Sequence, residues 1–304
     1  MKAVPFKALF FGGLILAATF HAGVAGAQQP RGMTLDEAQA GAAKGDAEAE
    51  FYLAKIYAGG MGVPQDYTKA AEYYQKAADQ GYGKAENNLG ILYLQGRGVK
   101  QDQTEAIKWL EKAATQGLSL SQTTLASILI NEEGASQQGL ELYQKAAEQG
   151  EVNAQVRLGN VYYFGTNEVK KDNIEAAKWF RLAAAQGDAS AENNLGVMNE
   201  LGMGMPIDAK AAVDWFRKSA EQGYAKGESN YGRIYADGVG GVATDPAKAY
   251  AWMSMSAAQG EVTAENFLTE YTAGLKPAEL LEGNRLIKEY EAEIAARPSP
   301  TPAH

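Results

Sequence analysis

Residues 83–117 read GKAENNLGILYLQGRGVKQDQTEAIKWLEKAATQG, and the reading of this stretch decides the fold. It holds two helix-forming runs parted by Gly96-Arg97-Gly98-Val99, and it recurs along the chain. Glycines following an alanine-rich run stand at Gly45, Gly81, Gly117, Gly150, Gly187, Gly223 and Gly260, at spacings of 36, 36, 33, 37, 36 and 37 residues. A period of about 20 to 50 residues marks an array whose units cannot bury their apolar faces alone, so that neighbours stack into one continuous core. Function is therefore expected on an extended surface.

Aligned on these glycines, the first run of each unit forms an A helix. Its small column (Ala49, Ala85, Ser121, Ala154, Ala191, Gly227) lies four residues before its large column (Leu53, Leu89, Leu125, Leu158, Leu195, Tyr231), which places both on one face. Small against large lets adjacent helices interdigitate. The glycine-rich loop that follows (Gly60-Met61-Gly62, Gly96-Arg97-Gly98, Gly202-Met203-Gly204, Gly238-Val239-Gly240) succeeds a helix, whereas a phosphate cradle succeeds a strand. Glycine is read here as left-handed backbone ending the A helix.

Asp66, Asp102, Asp172, Asp208 and Asp245 come next, placed to accept from the open amides that start a B helix. Trp109, Trp179, Trp215 and Trp252 share one B-helix column with Tyr73 and Leu142, and are read as inter-helix packing. Each B helix ends on a copy of Lys76-Ala77-Ala78-Asp79-Gln80-Gly81.

Two units depart from the pattern. The third is three residues short, its loop reduced to Glu132-Glu133-Gly134-Ala135-Ser136, which predicts a change of curvature over residues 131–138. The fifth has Asn199 where its neighbours have tyrosine, a polar group at a packing position.

The ends read differently. Lys2 and Lys7 precede an apolar run, and Ala25-Gly26-Ala27 suits a signal peptidase, so residues 1–27 are expected to be a cleaved secretory signal, with the product outside the cytoplasm, periplasmic or secreted. Residues 28–44 are expected to form a linker and an N-terminal capping helix, opened by the capping box of Thr34-Leu35-Asp36-Glu37. Six repeats then span 45–260, C-terminal capping helices 261–296, and a Pro-rich disordered tail 297–304.

Composition removes several function classes. There is no cysteine, hence neither a disulfide framework nor a lipidation cysteine, and of two histidines one lies in the signal and one in the tail. The net charge of −9 without a basic run argues against nucleic acid and against anionic membranes as partners. No cofactor or metal is expected, and no membrane insertion after signal cleavage.

The signatures Ala-x-Ala, Leu-Gly-x-x-Tyr, Gly-x-Gly-Val-x-x-Asp, Lys-Ala-x-x-Trp and Lys-Ala-Ala-x-Gln-Gly resemble the Sel-one-like repeat family, a branch of the tetratricopeptide-like solenoids. They stand nearly complete in the second unit as Ala85, Leu89-Gly90-Ile91-Leu92-Tyr93, Gly96-Arg97-Gly98-Val99, Asp102 and Trp109. The resemblance implies an all-α, α/α superhelical solenoid with helical caps, of about six repeats. It also implies protein–protein contacts, exported bacterial members acting as envelope adaptors, as regulators of envelope sensors or at host cells. Certain cysteine-rich relatives are associated with β-lactam hydrolysis. This chain lacks their cysteine pairs and the Ser-x-x-Lys, Ser-Asp-Asn and Lys-Thr-Gly set, so the expectation is a non-enzyme. A purely structural spacer is the alternative.

A monomeric right-handed superhelix with about 70% helix is expected, well above the ~30–35% of average globular domains. Its A helices would line a concave groove for a protein or peptide. Positions i, i+4 and i+7 of these helices share a face outside the core: Asn153, Arg157 and Asn160 in the fourth unit, Lys226, Asn230 and Arg233 in the last, with Asn88 and Asn194 in the second and fifth. Related tetratricopeptide domains hold ligand-binding asparagines just before the A-helix leucine, and by resemblance Asn88, Asn194 and Asn230 match that place. Asparagines suit an extended backbone, and Arg157, Lys226 and Arg233 suit carboxylates, so an acidic segment or a C-terminus is the expected ligand.

Overall fold

The structure, a computed structural model, describes residues 33–166 and 168–297. Its fifteen α-helices are α1 (Leu35–Ala42), α2 (Ala47–Gly59), α3 (Tyr67–Asp79), α4 (Gly83–Gln95), α5 (Gln103–Thr115), α6 (Ser119–Leu129), α7 (Ser136–Glu148), α8 (Val152–Phe164), α9 (Asn173–Ala185), α10 (Ala189–Leu201), α11 (Ala209–Ala220), α12 (Ala225–Asp237), α13 (Pro246–Ala258), α14 (Val262–Tyr271) and α15 (Pro277–Ala296). Of the described residues 75% are helical, and no strand occurs among them. The expected all-α solenoid is what forms. The expected signal over 1–27 and the tail beyond Arg297 lie outside the described residues.

Helices α2 to α13 make six A–B pairs, each packed within itself and on the next. Both A-helix columns are buried throughout, from Ala49 and Leu53 to Gly227 and Tyr231. Each leucine so placed contributes about 1.5–3 kcal/mol by the apolar surface it removes from water. The five aspartates cap the B helices as the spacing predicts; Asp102, for example, accepts from the amides of Thr104 and Glu105. Trp109, Trp179 and Trp252 are core. Trp215 is only half-buried; the ammonium of Lys218 lies over its ring at 4.4 Å, as that of Lys112 lies over Trp109 at 3.8 Å.

The loop glycines have two separate tasks. The first of each pair (Gly60, Gly96, Gly202, Gly238) takes the left-handed conformation that ends the A helix. The second leans on the preceding repeat: a Cβ on Gly98 would sit 2.0 Å from the Tyr67 carbonyl oxygen, on Gly204 2.2 Å from that of Asn173, and on Gly240 2.7 Å from that of Ala209. Gly62, in the first repeat, has no full repeat before it, and a Cβ there would meet nothing within 4 Å.

A buried polar ladder closes every repeat. The glutamine before each terminal glycine donates its side-chain amide to the residue after the small column of its own A helix: Gln80 to Glu50 at 2.7 Å, Gln116 to Glu86 at 2.8 Å, Gln149 to Gln122 at 2.8 Å, Gln186 to Gln155 at 2.9 Å, Gln222 to Glu192 at 2.6 Å and Gln259 to Glu228 at 2.8 Å. The rungs differ in what they can do next. Gln122 and Gln155 also donate backwards, to the carbonyls of Ala114 and Ala147 in the preceding B helix. An ionised glutamate has no proton for that second bond. Burial raises the carboxyl pKa of Glu86, of Glu192 and most of all of Glu228, which reaches about 7.

The short third unit loses two residues from its A helix, since α6 has 11 where α4 has 13, and one from the loop over 130–135. Its B helix consequently presses on the backbone of Ile130. A Cβ at Gly139 would come within 2.7 Å of the Ile130 nitrogen, and the other repeats have alanine at this place. Asn199 is no packing defect: its amide donates to the Leu195 carbonyl at 2.9 Å, one turn back in the same helix.

At the N-terminus, α1 starts on the expected capping box, with Thr34 and Glu37 exchanging backbone hydrogen bonds, and buries Ala38. At the other end α14 continues the A pattern, whereas α15 folds back on α13. Tyr290 stacks on Trp252 with ring centroids 4.4 Å apart, and Arg297, expected in the tail, pairs with Glu221 at 3.1 Å.

Candidate functional site

Successive A helices present their outward turns side by side, and from the third repeat onward these turns line a chain of adjoining cavities. The central one, of about 840 Å³, takes Asn131, Asn153, Arg157, Asn160, Asn194 and Lys226 among its lining residues. Towards the C-terminus a smaller cavity of about 390 Å³ shares Phe164, Asn194 and Lys226 with it and adds Asn230. On the loop side another of about 840 Å³ shares Ile130, Asn131 and Phe164 and adds Glu132, Glu133 and Glu168.

Five of the seven residues expected from the sequence are thus brought together: Arg157, Asn160, Asn194, Lys226 and Asn230. Arg157 and Lys226 are exposed and form no ion pair among the described residues. Asp188, which also lines the central cavity, is committed to capping α10, accepting from the Ala191 amide at 2.8 Å and the Ser190 hydroxyl at 2.6 Å. Neither cation is therefore held in an ion pair by the cavities' own carboxylates, Asp188 or Glu261. Tyr143 stands in the same wall; burial pushes its phenol up to about 12, against the opposing charge of Arg157, so it remains a neutral donor. Asn230 spends one amide proton on buried Asn193, at 2.8 Å, and keeps its own carbonyl for a ligand.

The other two residues are occupied elsewhere. Asn88 donates to the Tyr74 hydroxyl at 3.0 Å and accepts from Asn87, away from these cavities. Arg233 does not serve as a groove cation: its guanidinium donates to both carboxylate oxygens of Glu200 at 2.8 Å, bridging α10 to α12. Arg233→Ala is accordingly expected to cost on the order of 1 kcal/mol of stability, because it strands a partly buried carboxylate, while Arg157→Ala leaves the melting temperature unchanged. Thermal melts of the two variants check this; equal melting temperatures would overturn it.

The sequence reading missed Phe164. It ends α8 at the junction of all three cavities and is 74% exposed, edge-on to Tyr163 at 4.8 Å. The available signal was its column, which elsewhere holds Gly59, Gln95, Leu201 and Asp237 and so is not core.

Among the described residues no group of His, Cys, Asp or Glu could hold a metal ion, and no helix is long and apolar enough to cross a membrane.

Comparison with known proteins gives a consistent picture. The family model described as Sel1 repeat matches residues 47–82, 83–118, 136–151, 152–188, 189–224 and 225–261, its gap falling on the shortened third A helix. Two curated relatives from Arabidopsis thaliana, the ERAD-associated E3 ubiquitin-protein ligase components HRD3B and HRD3A, are each 38% identical over 71 residues, 23% of this chain. That match spans only 12% and 10% of their lengths. Among solved structures, c5321, a protective antigen of uropathogenic Escherichia coli with an SLR fold, superposes with a TM-score of 0.77 at 30% identity, over 89% of this chain and 61% of its own. A Sel1 repeat protein from Oxalobacter formigenes does so with a TM-score of 0.65 at 31% identity, over 74% and 100%.

Proposed function

The chain belongs to the Sel1 repeat family, and from that premise we propose that its A-helix face is a docking groove for an extended segment of another protein. Sel1 repeat proteins generally mediate protein–protein interaction. The observation that carries the reading here is the run of adjoining cavities over α6 to α14, in which Arg157 and Lys226 stand unpaired beside Asn160, Asn194 and Asn230. Amide side chains that donate and accept can pair with a bound backbone, and two unpaired cations favour carboxylates. The ligand is therefore an acidic segment or a C-terminus, and the protein works without catalysis, as a monomeric adaptor. The signal-like residues 1–27 support an envelope setting for it, periplasmic or secreted.

Crosslinking of the partner in exported material tests this. Arg157→Ala with Lys226→Ala, or Asn160→Ala with Asn194→Ala, is expected to lower crosslinking yield at least tenfold while the melting temperature stays within a degree or two. A control pair on the B helices, Lys108→Ala with Lys178→Ala, should leave it unchanged. Partner yield lost in the control pair and kept in the groove pairs would overturn the assignment.

A further inference from the structure

The groove is electrically polar about one apolar point. On the loop side of Phe164 the lining is acidic, with Glu132, Glu133 and Glu168 and no cation. On the other side stand the unpaired cations Arg157 and Lys226, and the carboxylates there, Asp188 and Glu261, each accept from the amides that open α10 and α14. The acidic side is held in place. Glu132 accepts from the Gln103 amide at 3.2 Å, and Glu168 from the Gly134 amide at 2.7 Å, each bond using one carboxylate oxygen and leaving the other open. None of the three acids is in an ion pair among the described residues. Between the two fields the exposed Phe164 ring lies with Ile130, Val156 and Val161 along the same wall.

We propose that the groove reads its partner in one direction: a large apolar side chain seats against Phe164, carboxylates lie on its Arg157 and Lys226 side, and a Lys or Arg lies on its Glu132, Glu133 and Glu168 side. This rests on the docking role proposed above and adds an anchor and a polarity to it. An exposed aromatic ring in a cavity is where a partner gains most from burial, and opposite fields on its two sides penalise the reversed orientation, in which like charges meet. A uniformly acidic segment would face the three glutamates at one end. The acidic stretch proposed above therefore ends at the apolar anchor, and a Lys or Arg follows it on the Glu132, Glu133 and Glu168 side.

A peptide-display library of random 12-residue sequences, panned on the full chain, tests the inference. The expected consensus has an aromatic or large aliphatic residue with Lys or Arg on one side and Asp or Glu on the other, always in the same chain order. Synthetic peptides of that consensus should lose about tenfold or more in affinity on Phe164→Ala, and on reversal of their charge order, with the protein's melting temperature unchanged. Acid-rich binders that need Arg157 and Lys226 but have no anchor, or that are indifferent to Phe164→Ala, would overturn the polarity and leave the docking role standing. Failure to recover any binder sensitive to groove substitutions would overturn both.

Discussion

Replacing Glu228 with glutamine is expected to stabilise the protein at pH 8 and to change nothing at pH 4. Glu228 is almost wholly buried, and desolvation lifts its carboxyl from 4.5 to about 7; the hydrogen bond from Gln259 opposes this lift and the charge of Glu291 on α15 adds to it. Below about pH 4.5 the folded and unfolded chains both bind the proton, and the carboxyl carries no penalty. As pH rises from about 4.5 to about 7 the unfolded chain releases its proton and the folded chain resists, so stability falls across this window and then levels off. The shift corresponds to at most about 3 kcal/mol, at 1.36 kcal/mol per unit. Glutamine abolishes the slope, and it also gains what Gln122 and Gln155 have in the third and fourth repeats, a proton to donate to the preceding B helix. Thermal melts from pH 4 to pH 8 decide the matter. A parent chain whose stability is flat over that range, or equal melting temperatures of parent and variant at pH 8, would rule out a desolvated carboxyl.

The second large effect is expected at Gly98, by contrast with Gly62. Both have positive φ, 71° and 76°, so alanine at either pays about 1–2 kcal/mol for a left-handed backbone. At Gly62 nothing further is in the way. At Gly98 the methyl would overlap the Tyr67 carbonyl, a backbone group that cannot rotate aside, and the second loop would have to lift off the first repeat. Gly98→Ala is therefore expected to cost about 2 kcal/mol or more beyond Gly62→Ala, through the strain of overpacking. Denaturant melts of the two variants measure the difference; equal midpoints would mean that loop and neighbouring repeat are not in contact in solution.

Much of the array was legible because it is periodic. A single unit is ambiguous, but five aspartate-to-amide caps and six small-to-large pairs repeated in register are not, and the A helices, B helices and both end helices fall where the spacing puts them. The second loop glycines were read only as helix ends, since their reason is a carbonyl about 30 residues earlier in the preceding repeat. The ladder had the same obstacle. Both of its columns were visible, the Glu or Gln after the small residue and the Gln before the glycine, but their pairing spans about 30 residues and follows from the fold alone. At the groove, five of the polar residues picked out by local pattern line adjoining cavities. It could not foresee that Glu200 would claim Arg233, nor that Phe164 would stand open where three cavities meet.

The backward lean of the loops has a temporal consequence. Gly98 rests on the first residues of α3, Gly204 on those of α9 and Gly240 on those of α11, always a segment nearer the N-terminus. A chain is synthesised, and where exported translocated, from that end. The seat of each of these three loops therefore already exists when the loop emerges, and its docking does not wait on residues still to come. For these loops emergence order and assembly order coincide, which shortens the time for which the apolar columns of a half-finished array stand open to aggregation.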